Sequence, residues 1–374
     1  MGRLGLLNRL ANAVAAYNPA AQFAPALPGL WVDASDYATL TQDSIATTAV
    51  TGVGQTVGLM LDKRLGGRGP ELVSNGTFDS NLTGWILSQT ATAGIPTWNA
   101  GVMQTNSDGS GFSRADLEIT TVAGKKYYIS GLSNGNNNIY VGTVQGGQTL
   151  FVQGLLGLFG GFFVASGTTT WIRIEDGLPT ASSVDNISVK LLEGNHISQA
   201  TAPARPLTGT SGAIQYLTFD GLDDNGMTGA ATFSANMDCF IALRRNSSVL
   251  SVLCAGSVPA SAYMFAHETA GAGTISAGVG ASTTYAVNGV DVPGGTAATR
   301  AQLATAWPVS QFVVLEARNL DLTSANWGAI GLSNFGAGNF IGMDFVQMIL
   351  APAGDATARQ KNRQYAGNKA GLTL

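Results

Sequence analysis

The sequence is poor in charged residues and in the residue types that most active sites use. Of its 374 residues, 11% are Asp, Glu, Lys or Arg, and there are only two histidines and two cysteines. Neither histidine lies near a Ser or Cys in a nucleophile setting. The sequence contains no GxSxG motif, no phosphate-binding loop and no zinc-spaced His/Cys cluster. These absences predict a protein that is not an enzyme.

The sequence also lacks an excess of positive charge and a long apolar segment. The formal net charge is -4 and the basic residues are scattered, which excludes the basic surface that nucleic acid requires. The most apolar segment, residues 150–165, is too short and too interrupted by glycine to span a membrane. It is interpreted as one or two buried strands with a glycine turn, or as an exposed loop at an oligomer or membrane contact.

Glycine is abundant, at 49 residues, together with Thr, Ser, Asn and Ala. Because Gly supplies the positive φ angles of hairpin turns, the composition predicts an all-β fold with many tight turns. The length is sufficient for two or three domains. Strands are predicted over residues 214–219, 237–243, 249–254, 262–267, 284–287, 312–318 and 340–350. Residues 355–369 are predicted to form a helix that Asp355 caps.

The two cysteines lie on predicted strands that flank Asn246-Ser247. A two-residue turn there would place Cys239 and Cys254 directly opposite each other. They would then form a disulfide or remain as two buried thiols. No third soft ligand is near in sequence, so the pair is not predicted to bind a metal.

Three motifs carry a resemblance to a known family. They are LWVDASD at 30–36, GLMLDK at 58–63 continued by GNH at 194–196, and IQYLTFDGLDD at 214–224. This set resembles the concanavalin/laminin-G-like β-sandwich domain of bacteriophage structural and tail-associated proteins, and the terminal helix resembles the end of that family. The second motif is split in this chain. The resemblance therefore implies one sandwich built from residues 28–68 and 194–374.

The intervening residues 69–193 resemble a second family. ELVSNGTFDSNLTGW at 71–85 and SVDNISV at 183–189 resemble the start and end of jelly-roll carbohydrate-binding modules. The predicted fold is therefore all-β, with two β-sandwich (jelly-roll) domains, one inserted in a loop of the other, a short N-terminal helical segment and a C-terminal helix. Such an insertion is tolerated because the termini of a compact domain usually lie close together.

Residues 1–27 lie outside both resemblances. Their apolar residues recur at helical spacing, at Leu4, Leu7, Ala11 and Val14. This spacing predicts a short amphipathic helix that Pro19 ends. The segment is interpreted as an anchor that docks on another virion protein or on sister subunits, as a disordered leader, or as a signal peptide. Asn8-Arg9 interrupts the apolar run that a signal peptide needs.

The resemblance of the insert to carbohydrate-binding modules implies a sugar site. Such a site needs solvent-facing aromatic rings, which stack on pyranose C–H surfaces, beside amides that hydrogen-bond hydroxyl groups. The candidates are Trp98, Tyr128, Tyr140, Trp171, Asn136 and Asn138. The alternative for each is packing in the core, which is favoured for Trp171.

The same resemblance implies a structural Ca²⁺ ion. Asp79 and Asp185 are the matching carboxylates, and oxygen ligands from two distant segments would tie the ends of the jelly roll together. The alternative is that Asp185-Asn186 is simply a turn. A second acidic cluster is a further candidate for Ca²⁺, although in the resembled family it mostly forms a turn. It consists of Asp220, Asp223 and Asp224. No other cofactor is predicted.

The leading hypothesis is a non-enzymatic structural component of a bacteriophage virion, such as a tail fibre, baseplate or head-surface appendage. The N-terminal segment and the outer sandwich would contact other virion proteins, and the insert would touch host-surface glycans. The class implies a homo-oligomer, with a trimer expected, that assembles in the host cytoplasm, where reducing conditions favour thiols over a disulfide. The alternatives are a secreted carbohydrate-binding or polysaccharide-depolymerising protein and a capsid decoration protein without a ligand.

Overall fold

The computed structural model describes residues 17–23, 28–44, 48–64, 68–192, 194–224, 227–231, 233–246, 251–252, 254–256, 263–267, 272–323, 327–330 and 342–374. The first strands are β1 (Leu30–Asp33), β2 (Leu40–Thr41), β3 (Leu59–Met60), β4 (Arg68–Glu71), β5 (Ile86–Gln89), β6 (Gly94–Asn99), β7 (Val102–Asn106) and β8 (Ser113–Thr120). They are followed by β9 (Lys126–Gly142), β10 (Phe151–Val164), β11 (Thr169–Asp176), β12 (Ser182–Leu192), β13 (Ile197–Ser198), β14 (Leu207–Ser211), β15 (Ile214–Asp220) and β16 (Met227–Ala231).

The last strands are β17 (Met237–Arg245), β18 (Ser251–Val252), β19 (Cys254–Gly256), β20 (Ala266–His267), β21 (Thr284–Val287), β22 (Val290–Asp291), β23 (Phe312–Leu320), β24 (Trp327–Ile330) and β25 (Gly342–Pro352). Two α-helices are described, α1 (Arg300–Ala306) and α2 (Ala356–Lys369). Neither of them is long and apolar enough to cross a membrane.

The described residues divide into two compact units. Unit 1 takes its residues from Met1–Ser44, Ala49–Gly67 and Gly194–Leu374, and unit 2 takes its residues from Ile45–Thr48 and Arg68–Glu193. The fold is all-β, with one β-sandwich inserted in a loop of the other and a C-terminal helix, as the sequence predicts.

Two large sheets form unit 1. One follows the order β14-β15-β25-β17-β23-β21-β22, with β1 paired to β25, and the other follows the order β19-β24-β16-β13-β3-β2. Ile241 and Leu315 of the first sheet share one hydrophobic cluster with Met60 and Ile197 of the second. Because each sheet buries a face against the other, unit 1 is a β-sandwich.

The opposite face of the first sheet is covered by helix α2. Ile349 of the sheet and Ala366 of the helix belong to the same buried cluster. Asp355 caps the helix by accepting a backbone N–H at 2.8 Å, as predicted. Arg359 anchors the helix through an ion pair with the buried carboxylate of Asp238 at 2.8 Å.

Asp62 joins the two segments of unit 1 between which the insert lies. Its buried carboxylate accepts hydrogen bonds from the backbone N–H of Trp31 at 3.0 Å and of Asn195 at 2.7 Å, and from the side chain of Arg64 at 2.9 Å. The backbone N–H of Asp62 donates to Nδ1 of His196 at 3.0 Å. Burial raises the pKa of Asp62 in spite of these hydrogen bonds. The two halves of the split motif therefore form one structure.

A second buried carboxylate, Asp33, brings the first motif and the terminal helix to the same place. Its partners are Lys63 at 3.0 Å and Lys369 of α2 at 3.3 Å, and Lys63 also contacts Asp36 at 2.6 Å. Burial raises the pKa of Asp33, but the two ammonium groups and the Ser35 hydroxyl outweigh burial and keep it below its ordinary value. Segments from distant parts of the chain therefore meet at one ion-pair cluster.

Unit 2 is a second sandwich, built around the long strand β9. The first half of β9 pairs with β12, where Leu132 lies opposite Asp185, and the second half pairs with β11, where Asn138 lies opposite Glu175. Strand β9 therefore passes from one layer to the other. The layers continue as β11-β8-β5 and as β12-β7-β6, β4 pairs with β12, and β10 pairs with the other edge of β9.

The apolar segment 150–165 forms the single strand β10 and not two strands around a glycine turn. Phe159 and Phe163 are buried in the core of unit 2, whereas Leu156 and Leu158 remain exposed. The segment is therefore a single strand, which is one of the two predicted alternatives, but the strand is only half-buried and no glycine turn divides it in two.

The predicted cysteine hairpin is also wrong. Cys239 is buried on β17, where it lies opposite Ala317 of β23 and Leu350 of β25. Cys254 begins β19, which pairs with β24 in the other sheet. The two cysteines therefore do not face each other, because strands that are adjacent in sequence have paired with distant strands.

The predicted strands at 214–219, 237–243, 284–287, 312–318 and 340–350 are confirmed as β15, β17, β21, β23 and β25. The predicted N-terminal helix, and parts of the strands at 249–254 and 262–267, lie outside the described residues. Helix α1 was not predicted, although Thr299 and Gln302 form a capping box at its start.

The acidic turn after β15 is closed by its own carboxylates. Asp220 accepts a hydrogen bond from the backbone N–H of Leu222 at 2.7 Å, and Asp224 accepts one from the backbone N–H of Asp220 at 2.8 Å. Burial, together with the charges of Asp220 and Asp223, raises the pKa of Asp224 to about 6.

Replacing Asp62 with Ala is expected to lower the free energy of unfolding of unit 1 by about 2–4 kcal/mol, because it leaves two buried backbone N–H groups without an acceptor. Chemical denaturation measures this loss. The exposed Asp223, replaced with Ala, is the matched control and should change stability by less than about 0.5 kcal/mol. A loss no larger for Asp62→Ala than for Asp223→Ala would contradict the role of Asp62.

Replacing Asp224 with Asn is expected to change how the stability of unit 1 depends on pH. The pKa of Asp224 is higher in the folded chain, about 6, than its ordinary value of 3.8, so the folded state binds the proton more tightly. The contribution of Asp224 to stability is therefore present at low pH and is lost as the pH rises through this window. Melting temperatures are measured at several pH values for both proteins. The melting temperature of the variant should rise relative to that of the wild type between pH 4 and pH 7. Parallel curves would refute the assignment.

Candidate functional site

One outer face of unit 2 gathers polar and aromatic side chains from three adjacent strands. Residues opposite each other in register share a face, and Trp171, Arg173 and Glu175 of β11 lie opposite Gly142, Tyr140 and Asn138 of β9. The residues between them, such as Ile172 and Ile139, are in the core. This outer face therefore presents alternate residues of β8, β9 and β11 away from the core.

Cross-strand ion pairs cover the middle of this face. Arg114 and Glu175 lie directly opposite each other and form an ion pair of 2.6 Å, and Arg173 and Asp116 form another of 2.7 Å. The hydrogen bonds to Asp116 raise the pKa of Arg173. Burial, together with the neighbouring Glu175, raises the pKa of Tyr140. The charges of this region are therefore neutralised within the protein.

A cleft of about 480 Å³ opens beside these ion pairs. Its apolar lining consists of Phe112, Leu156 and Leu178, which are 41%, 76% and 47% exposed. Its polar lining consists of Asn136, Asn137 and Asn138, and two glycines, Gly154 and Gly177, complete it. The cleft therefore combines exposed apolar side chains with amides, which is the composition of a small-molecule or sugar site.

Asn137 points inward and fixes the strand between the two other asparagines. It is buried, its Oδ1 accepts a hydrogen bond from Thr105 at 3.0 Å, and its amide donates to Ser133 at 3.1 Å. Because side chains alternate along a strand, Asn136 and Asn138 on either side of it point outward. These two amides are the ones that a ligand in the cleft can reach.

Glycine at position 177 makes room for the aromatic ring of the cleft. A Cβ atom there would lie 2.7 Å from Cε1 of Phe112, a distance that real Cβ atoms do not show. The guanidinium of Arg114 lies 5.0 Å from the centre of the same ring, which is a cation–π contact. The position of Phe112 therefore depends on a missing side chain and on a cation–π contact.

Four of the six predicted sugar-binding residues lie on this face. Asn136 and Asn138 line the cleft, and Tyr140 and Trp171 lie on the outer side of β9 and β11, half-buried. The other two candidates, Tyr128 and Trp98, do not line the cleft either. Tyr128 is only 3% exposed and packs against Phe162, so it offers no ring face, which corrects the prediction for this residue.

Trp98 is 45% exposed, but it lies on β6 and is not among the residues that line the cleft. Its indole N–H donates to the backbone carbonyl of Phe78 at 2.6 Å. Trp98 is therefore separate from the cleft.

Sequence reasoning missed the apolar lining of the cleft, which consists of Phe112, Leu156 and Leu178. These residues come from the position just before β8, the middle of β10 and the turn after β11, and no local motif connects them. Only the pairing of β9 with both β10 and β11 brings them together.

The predicted Ca²⁺ ligands accept hydrogen bonds from their own neighbours. Asp79 accepts one from the Thr77 hydroxyl at 2.8 Å, and Asp185 accepts one from the backbone N–H of Asn186 at 2.7 Å. Asn186 has a φ of 53°, which fits the alternative of a turn. Ca²⁺ binding by Asp79 and Asp185 stays a prediction. In the part of the chain that the structure describes, only Asp220, Asp223 and Asp224 form a group of three acidic, His or Cys side chains close enough together to hold a metal ion.

A second cleft, of about 580 Å³, lies in unit 1 between the β21–β22 hairpin and helix α1. Its lining residues include no aromatic ring, and its acidic residue, Asp291, pairs with Arg318 at 2.7 Å. The cleft of unit 2 therefore has the stronger chemical case for binding a polar ligand.

No protein-family model and no curated protein matches this chain. Among solved structures, it is similar to the enzymatically active domain of tailspike protein 4 of bacteriophage CBA120, at 13% identity and a TM-score of 0.27, over 33% of this chain and 21% of that one. It is also similar to the CBM22-1-CBM22-2 tandem domain of Paenibacillus barcinonensis Xyn10C, at 10% identity and a TM-score of 0.30, over 76% of this chain and 98% of that one.

A third similar structure is the tandem of CBM51 modules of the family 98 glycoside hydrolase Sp3GH98 from Streptococcus pneumoniae, at 7% identity and a TM-score of 0.18, over 68% of this chain and 85% of that one. At TM-scores this low, these likenesses carry no argument about function. The functional argument therefore depends on the residues of this chain itself.

Proposed function

We propose that the protein is a structural subunit of a bacteriophage particle and that unit 2 binds carbohydrate in the cleft between β8, β9, β10 and β11. The observation that carries the proposal of sugar binding is the cleft itself, where the outward amides of Asn136 and Asn138 lie between the apolar side chains of Phe112, Leu156 and Leu178.

This combination suits a sugar better than a purely apolar ligand. A pyranose has hydroxyl groups at its rim, which amides can both donate to and accept from, and C–H groups on its faces, which pack on apolar and aromatic side chains. The volume of about 480 Å³ lies within the range of small-molecule sites. The cleft is also open, because Leu156 is 76% exposed, so a longer glycan can pass through it.

The proposal includes no catalytic role. Glycoside hydrolysis needs one carboxylic acid and one carboxylate that face a sugar from two sides. Asp116 and Glu175 pair with arginines from the neighbouring strand, and Asp176, next to the cleft residue Gly177, is buried beside the Thr105 hydroxyl. The ion pairs support a structural role in fixing the sheet face.

The proposal of a virion role rests on unit 1. Two of the three motifs that resemble bacteriophage structural proteins, at 30–36 and at 58–63 with 194–196, meet at Asp33 and Asp62, so they act together as a structural centre of the sandwich. A homo-oligomer, with a trimer expected from the class, would present several clefts at once and raise weak affinities through avidity. Host-surface glycans are the proposed ligands, and the particle is the proposed location.

A glycan array tests the sugar site with two variants of the full chain. In Gly154→Leu, the new Cβ has only an ordinary contact of 3.5 Å with Asn138, so the larger side chain fills the cleft without strain in the strand. In Asn138→Ala, one amide is lost. We expect Gly154→Leu to abolish binding and Asn138→Ala to weaken it by about 3–10-fold, as for the loss of one hydrogen bond.

The matched control is Trp98→Ala, which removes an exposed aromatic ring of unit 2 away from the cleft. It should bind glycans as the wild type does. Binding that Gly154→Leu leaves intact, or that Trp98→Ala abolishes, would show that the cleft is not the sugar site.

Negative-stain electron microscopy with an antibody to unit 2 tests the virion role. Intact particles from phage lysates that contain this protein should be labelled. Labelling at the tail tip agrees with attachment to the host, and labelling across the head agrees with decoration. A protein found only free in the lysate would refute the virion role and favour the secreted alternative.

A further inference from the structure

We infer that the cleft of unit 2 selects uncharged glycans and rejects acidic ones, such as uronic-acid or sialic-acid polymers. This inference rests on the proposed sugar-binding function and adds the chemical class of the ligand. Three features of the cleft and its surroundings carry it.

The first feature is the lining. Its eight residues are asparagines, glycines, leucines and one phenylalanine, and none of them is charged. Recognition of a carboxylate normally uses an arginine or lysine, because charge-assisted hydrogen bonds compensate for the lost hydration of the anion. The amides of Asn136 and Asn138 are neutral, so they match neutral hydroxyl groups and give an anion no such compensation.

The second feature is the pairing of the nearest cations. Arg114, which contacts the ring of Phe112, directs its Nε to Glu175 at 2.6 Å. Arg173 makes two hydrogen bonds to Asp116, at 2.7 and 3.0 Å. Because each guanidinium already faces a carboxylate of the protein, a ligand carboxylate could only share it beside a like charge, which weakens the attraction that the cation would otherwise give.

The third feature is the carboxylate next to the amides. Glu175 lies directly opposite Asn138 in the pairing of β11 with β9, and it is 6% exposed. Because Arg114 balances the charge of Glu175, this neighbour of the amides offers a ligand anion no net positive charge. The net charge of -4 acts in the same direction at longer range.

Binding of defined polysaccharides to the full chain tests the inference. The neutral probes are galactan, mannan and β-glucan, and the acidic probes are polygalacturonate, hyaluronan and polysialic acid. We expect binding to at least one neutral probe, lost in Gly154→Leu, with a Kd that changes less than about twofold between low and high salt because no ion pair forms with the ligand.

The outcomes separate the inference from the function beneath it. An acidic probe bound by the wild type and lost in Gly154→Leu would overturn the selection of neutral glycans while supporting a sugar site. Binding to no probe, or binding that Gly154→Leu leaves unchanged, would overturn both.

A charge variant provides a positive test. Asn136 is exposed at the cleft, so Asn136→Lys adds a cation there, whereas Asn136→Gln keeps a neutral amide as the matched control. We expect Asn136→Lys to raise the affinity for polygalacturonate at least about tenfold at low salt, as for a neutral hydrogen bond that becomes charge-assisted, and Asn136→Gln to leave it unchanged. Equal affinities of the two variants for polygalacturonate would contradict the claim that missing positive charge causes the rejection.

Discussion

The structure of unit 1 depends on one buried carboxylate that connects segments far apart in sequence. One oxygen of Asp62 faces the backbone N–H of Trp31 in the first strand, and the other faces the backbone N–H of Asn195, just after the insert. Gly194 has a φ of 115°, and a Cβ atom there would lie 2.6 Å from Oδ2 of Asp62. The chain therefore needs glycine at position 194 to return close to Asp62. At this short distance the buried carboxylate can accept hydrogen bonds from both segments and hold them together.

Unit 2 closes its own ends in a different way. Its first strand, β4, pairs with its last strand, β12, so that Arg68 lies opposite Leu192 and Glu71 lies opposite Lys190. The two ends of the insert are thus neighbours through backbone pairing, while the two flanking segments of unit 1 are neighbours through Asp62. Each unit therefore holds its own two chain segments together, which lets a complete sandwich be inserted in a loop of another.

Local patterns in the sequence predicted much of this fold. Alternation predicted β15, the cap at Asp355 predicted α2, and the split motif predicted that the flanks of the insert belong together. What local patterns could not supply is the choice of strand partners. Cys239 and Cys254 lie on β17 and β19, which are close in sequence, yet these strands belong to different sheets.

The candidate site shows the same limit. Asn136 and Asn138 were chosen because amides beside aromatic rings suit the hydroxyl groups of a sugar, and both do line the cleft. Tyr128 was chosen for its residue type, but its ring packs on Phe162, a contact that only the pairing of β9 with β10 creates. Phe112 has no sequence signal, because its exposure depends on Gly177 in another part of the chain.

The buried polar cluster behind the cleft links the fold to the proposed selectivity. The Thr105 hydroxyl lies within hydrogen-bonding distance of both Asn137 and Asp176, and Asp176 accepts the backbone N–H of Leu178 at 3.0 Å. One cluster therefore fixes both the strand that presents the two outward amides and the turn that carries an apolar wall. Because these groups are ordered before a ligand arrives, binding loses little free energy to ordering them. A neutral glycan gains from that order directly, whereas an acidic glycan meets Arg114 and Arg173 already balanced by carboxylates of the protein.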